Sequence, residues 1–149
     1  MATRCVANLA RSTCFLYAIS VLFWKMEFFE TPAFTRCLSE YLDDDAYRAL
    51  QTRLIASPDL GDVMPGTGGF RKVRCADPRR GKGRRGGLRI IYFYFESERQ
   101  IWLMTLYGKD EASGLTAKEK QALKGTIDLE KKARSINRAA HRSGPRRIG

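Results

Sequence analysis

Histidine is nearly absent from this chain: the only one among 149 residues is His141, near the basic C-terminal end. Chemistry that needs a histidine pair, or a nucleophile activated by histidine, is set aside, and any acid–base work falls to Lys, Tyr, Asp or Glu. Cysteine is sparse and dispersed. Cys5, Cys14, Cys37 and Cys75 form no CxxC pair and no Cys/His spacing that holds zinc. They read as reduced thiols of a cytoplasmic protein, and neither a metal nor a cofactor is expected. The one extended apolar run, Cys14 to Trp24, is about half of the roughly 20 residues a membrane-spanning helix needs, so no membrane partner is expected. Basic residues precede that run, but no small-x-small cleavage site follows it. Met26 instead opens EFFETPAF, which begins like a compact domain. Residues 1–25 therefore read as an over-extended start or a disordered extension.

Acidic residues are the other deficit. Sixteen Asp and Glu face 27 Lys and Arg, a net charge of +11, which favours polyanionic partners. The excess is concentrated: Arg71, Lys72, Arg74, Arg79, Arg80, Lys82, Arg84, Arg85 and Arg89 are accompanied between positions 71 and 89 by the single acid Asp77. Such a cluster is costly to a fold, since like charges repel and cannot be buried unpaired.

What is present reads as one α+β domain over residues 26–133. Met26 to Glu30 suggests an edge strand, and Thr31-Pro32 supplies an N-cap with proline at the first helical position. Phe34, Cys37, Leu38, Tyr41 and Leu42 then form one helical stripe. Asp43 to Asp45 cap a second helix with Tyr47, Leu50 and Leu54 inward, ended by Ser57-Pro58. After a glycine-rich connection, Gly61–Gly69, three strand-like runs follow: Phe70–Cys75, Leu88–Phe95 and Ile101–Tyr107, an antiparallel meander. Thr116-Ala117-Lys118-Glu119 matches a capping box and opens a final helix carrying Ala122, Leu123 and Ile127. From Lys131 onward acids are lacking, and residues 134–149 read as a basic flexible tail.

In an extended Phe70–Cys75, Lys72 and Arg74 share one face while Arg71 and Val73 share the other. With helices covering one face of the sheet, the cations of the other form a shallow phosphate-binding surface, to which Arg89 would add its planar fork. Arg79, Arg80, Lys82, Arg84 and Arg85, on a flexible glycine-rich loop, would follow an irregular RNA backbone together with Arg71. The GxxxxGK[ST] spacing of a P-loop is absent. Tyr92, Tyr94, Trp102 and Tyr107 offer faces for base stacking, although core packing is the commoner fate of such rings; Tyr107, at the end of the last strand, is the one expected beside the groove.

The ordered set GTGGFRKVR, GKGRRGGLRIIYFYF and WLMTLYGKDE resembles the toxins of bacterial type II toxin–antitoxin modules in the RelE/ParE superfamily, above all the HigB-like branch, over roughly Met26 to Leu129. The resemblance implies a RelE-like fold, two N-terminal helices on a small antiparallel sheet with a C-terminal helix. It implies a ribosome-dependent, metal-free mRNA endonuclease in which the RNA 2′-hydroxyl attacks the adjacent phosphate, with mRNA, the ribosome and a cognate antitoxin protein as partners. Lys72 and Arg74 match the paired cations of the first central strand, Arg89 matches the arginine opening the next, and Lys109 follows the strand-end Gly108. Asp110 stands where RelE has an arginine, and no tyrosine early in the last helix matches that of RelE, so Tyr107 or Lys109 would act on the leaving oxygen. A lysine crowded by cations surrenders its proton more readily, which suits a base. A ParE-like gyrase poison and a non-catalytic RNA-binding or inactivated toxin are the competing readings.

Overall fold

A computed structural model describes residues 25–110 and 114–142. The apolar run Cys14–Trp24, the remainder of the extension before Lys25, Glu111 and the closing residues from 143 lie outside the described residues. The elements are β1 (Glu27–Glu30), α1 (Pro32–Tyr41), α2 (Asp44–Ala56), β2 (Asp62–Val63), β3 (Arg71–Cys75), a 3-10 turn (Pro78–Arg80), β4 (Leu88–Phe95), β5 (Gln100–Gly108) and α3 (Ala117–Arg142).

Both early helices begin where short polar side chains satisfy free backbone N–H groups. Thr31 Oγ1 accepts from the Phe34 N–H at 3.2 Å, and Asp43 Oδ1 accepts from the Ala46 N–H at 2.8 Å. Their apolar stripes pack on one face of a five-stranded sheet of order β1-β5-β4-β3-β2. Phe34, Leu50 and Leu54 are fully buried there against Leu88, Ile90, Tyr92, Ile101 and Leu103.

The sheet is mixed rather than antiparallel throughout. The β3-β4-β5 meander forms as expected, but β1 lies parallel to β5, pairing Glu27 with Gln100 through Glu30 with Leu103. The reason is the connection: β1 runs straight into α1 and α2, which cross one face before the chain returns to the sheet at its far edge. The glycine-rich connection also holds a strand, the two-residue edge β2 beside β3.

The opposite face is covered by α3, opened by the expected capping box. The Thr116 N–H donates to Glu119 Oε2 at 2.7 Å, and the Glu119 N–H donates back to Thr116 Oγ1 at 3.2 Å. Ile127 is fully buried among Phe70, Ile91, Phe93 and Phe95. Contrary to the expectation of a frayed segment after residue 131 and a flexible tail from 134, the helix continues unbroken to Arg142. Its cations are what hold it down. Arg134 lies 3.9 Å from the Phe95 ring centroid and 5.4 Å from that of Trp102, donates to Gln100 Oε1 at 2.8 Å, and pairs with Glu130 and Glu98. Lys131 caps Phe93 at 5.0 Å and donates to the Gly68 carbonyl, while Arg138 reaches Glu98. No helix among the described residues is long and apolar enough to cross a membrane.

Candidate functional site

One row of side chains crosses the three central strands. Arg74 of β3 stands opposite Arg89 of β4, and Arg89 stands opposite Tyr107 of β5. Opposed residues share a face. This face is the one α3 covers, because Val73, Cys75, Leu88, Ile90 and Leu106 alternate into the core beneath α1 and α2.

Tyr107 reaches that face through a β-bulge. Ile91 pairs with Thr105 but Tyr92 pairs with Leu103, so Met104 has no partner of its own on β4. The extra residue reverses the alternation of β5: Leu103 and Leu106 both enter the α1/α2 core, whereas Trp102, Met104 and Tyr107 belong to the other side. Without it Tyr107 would point away from Arg89. The bulge is braced by α1's N-cap, since Thr31 Oγ1 donates to the Met104 carbonyl at 2.6 Å while the Thr31 N–H donates to the neighbouring Leu103 carbonyl at 3.0 Å.

The row borders a cleft of about 420 Å³ lined by Lys72, Arg74 and Tyr107 from the sheet, Asp62 from β2, and Thr116 and Lys120 from the start of α3. Burial pushes the Tyr107 hydroxyl above the ordinary tyrosine range, with Arg89 pulling the other way and Glu119 adding to the rise. The phenol therefore keeps its proton at neutral pH and is a hydrogen-bond donor toward the cleft.

The remaining sequence candidates are distributed differently. Arg89 shares the row, but its guanidinium turns back and donates to the carbonyls of Arg84, Arg85 and Leu88 at 3.0–3.3 Å, fastening the loop before β4. Lys109 is exposed, and its N–H donates to the Gly87 carbonyl at 3.1 Å. Arg71 lies on the α1/α2 face and donates to the carbonyls of Asp59 and Gly61. Arg79 donates to the Ser39 carbonyl at the end of α1, and Arg80 lies 5.5 Å from the Tyr41 ring centroid. Lys82 pairs with Asp110. Arg84 and Arg85 line an adjoining cleft of about 390 Å³.

The basic loop is shaped rather than loose. Asp77 is almost fully buried, caps the 3-10 turn by accepting from the Arg80 N–H, and exchanges two backbone hydrogen bonds with Lys82. Gly81 supplies the left-handed residue that closes the turn. At Gly87 a side chain would meet the Cys75 carbonyl oxygen at 2.3 Å, so glycine there permits the loop to press against β3.

Among the aromatic candidates, Tyr92 is fully buried, accepting from the Gly61 N–H and donating to the Pro58 carbonyl. Trp102 packs on Phe29, Phe95 and Arg134, and Tyr94 packs at the margin of the α1/α2 core. Tyr107 is the one that lines the cleft. Sequence reasoning missed Lys120, Asp62 and Arg53, whose local patterns resemble ordinary solvated positions; only the packing of β2, α2 and α3 around β3 brings them to the clefts.

No protein-family model matches the chain.

Proposed function

We propose that the chain is a RelE/HigB-type toxin, an endoribonuclease that cuts mRNA on the ribosome without a metal ion and is neutralised by a partner antitoxin. The observation that carries this reading is the convergence of Lys72, Arg74, a protonated Tyr107 and Lys120 on one open cleft. These side chains match the demands of transesterification at an RNA phosphodiester. A base removes the proton of a 2′-hydroxyl, a positioned cation offsets charge on the phosphoryl oxygens, and an acid protonates the departing 5′-oxygen.

In this scheme Lys72 accepts the 2′-hydroxyl proton as the 2′-oxygen bonds to phosphorus. Arg74 neutralises the charge that accumulates on the non-bridging oxygens. Tyr107 gives its proton to the 5′-oxygen as the phosphorus–oxygen bond breaks, leaving a cyclic 2′,3′-phosphate and a free 5′-hydroxyl. Arg89 acts as a positioning residue: it holds the Arg84–Arg85 backbone beside the cleft and stands between Arg74 and Tyr107 in the row.

The reading is tested by expressing the chain without an antitoxin in a bacterial host. Growth arrest is expected, relieved by Lys72→Ala and by Tyr107→Phe, with RNA fragments that begin in a 5′-hydroxyl. Arrest unchanged in both variants, or fragments beginning in a 5′-phosphate, would remove this chemistry.

A further inference from the structure

Lys72 and Arg74 line two clefts at once. The first is the candidate catalytic cleft on the α3 side, and the second, of about 390 Å³, also contains Arg53 from the last turn of α2 with Arg84 and Arg85 from the loop before β4. The clefts adjoin because β2 is short: it pairs with β3 only at Arg71 and Lys72, and the edge beyond them carries no strand partner among the described residues. Arg53 reaches over that edge to the Arg74 carbonyl at 3.5 Å. Among the described residues, five cations therefore gather about the second cleft against the single acid Asp62, which borders both clefts.

Such an array on an edge strand has a physical cost, as like charges are crowded and only partly engaged by backbone carbonyls. It also has the shape of a path rather than a pocket, two connected open clefts sharing two cations at their junction. A small anion would be served by either cleft alone. A chain of phosphates is served by both.

We infer that the second cleft is a binding subsite for the flanking phosphodiesters of a single-stranded RNA whose scissile phosphate lies in the first, with Arg53, Arg84 and Arg85 as its phosphate ligands. The choice of RNA as the polyanion rests on the ribonuclease reading, while the path itself rests on the two clefts. Asp62, at the junction, opposes phosphate on both sides and limits how closely the strand settles against β2.

The test is fluorescence anisotropy with 2′-O-methyl RNA, which lacks the attacking hydroxyl and so reports binding apart from cleavage. The wild-type chain should bind an octanucleotide at least tenfold more tightly than a dinucleotide. Arg53→Ala should weaken the octanucleotide severalfold and reduce its salt slope by about 0.7, the contribution of one single-strand phosphate contact, while leaving the dinucleotide unchanged. Arg85→Glu should do the same more strongly, and Asp62→Asn should tighten the octanucleotide. Equal affinity for the two lengths, or an octanucleotide insensitive to both arginine variants, would overturn the subsite. Length-dependent binding that needs Arg53, in a chain that cuts no RNA, would retain the subsite and sink the nuclease reading instead. Cleavage with no Arg53 effect would do the reverse.

Discussion

Arg74 and Arg89 face each other directly across the β3–β4 ladder, two cations at paired positions on one face of the sheet. Like charges so placed destabilise a sheet by roughly 0.2–1 kcal/mol, and a fold under selection for stability alone would remove one of them. Arg89 has a structural use in the carbonyls it binds, whereas the Arg74 side chain is exposed at the junction of the two clefts. Arg74→Gln should therefore leave stability unchanged or raise it by up to about 1 kcal/mol in urea unfolding, while reducing RNA cleavage about 100-fold or more. A loss of stability together with cleavage would assign Arg74 to the fold instead.

Tyr107→Phe keeps the ring and deletes only the proton donor. Cleavage should fall about 10²–10⁴-fold with little change in RNA affinity, the range expected for loss of a general acid. Because burial raises the Tyr107 pKa, activity of the wild type should persist into the alkaline range and decline only above the ordinary tyrosine value near 10. A decline starting near neutrality would point to another acid.

Three groups make the fold itself sensitive to alkali. Burial raises the pKa of Cys75 from 9.0 and those of Tyr92 and Tyr107 from 10.0, so each holds its proton more tightly folded than unfolded. Their stabilising contribution is complete below about pH 9, and above it the unfolded chain binds fewer protons than the folded one, so stability falls as pH rises. Urea midpoints should decline progressively from pH 9 upward, and Cys75→Ala should displace the onset to higher pH. A flat profile to pH 11 would contradict the assignment.

Removing the chain after residue 133 deletes Arg134 and Arg138, and with them the guanidinium over Phe95 and the pairs to Glu98. Cation–ring contact and partly buried ion pairs of this kind suggest a loss on the order of 2 kcal/mol. Arg134→Met, which keeps an apolar stem over the rings, should recover part of it relative to Arg134→Ala. An unchanged melting temperature after truncation would mean that the segment adds nothing to the domain.

The starts of the three helices were legible because their signals are local. Thr31-Pro32, Asp43 and Thr116 to Glu119 act on neighbouring backbone groups, so caps written in the sequence appear as caps in the structure. The parallel placement of β1 was not legible, since a short aromatic strand pairs equally well in either direction. Nor was the extent of α3. Read alone, its cations describe a solvated tail; opposite Phe93, Phe95 and Trp102 they become the contacts that order it. For the site, period-two alternation placed Lys72 and Arg74 on one face, but the Met104 bulge that turns Tyr107 toward them is a property of register. The loop cations read alike in sequence, yet the structure separates Arg79 and Arg80, held against α1, from Arg84 and Arg85, which line a cleft.

The measurement that bears most directly on the account is primer extension on a reporter mRNA in a purified translation system, with and without ribosomes, comparing the full chain with its Arg74→Gln variant. The account predicts discrete cuts that require ribosomes and disappear in the variant. An mRNA left intact by the wild-type chain on translating ribosomes would contradict it.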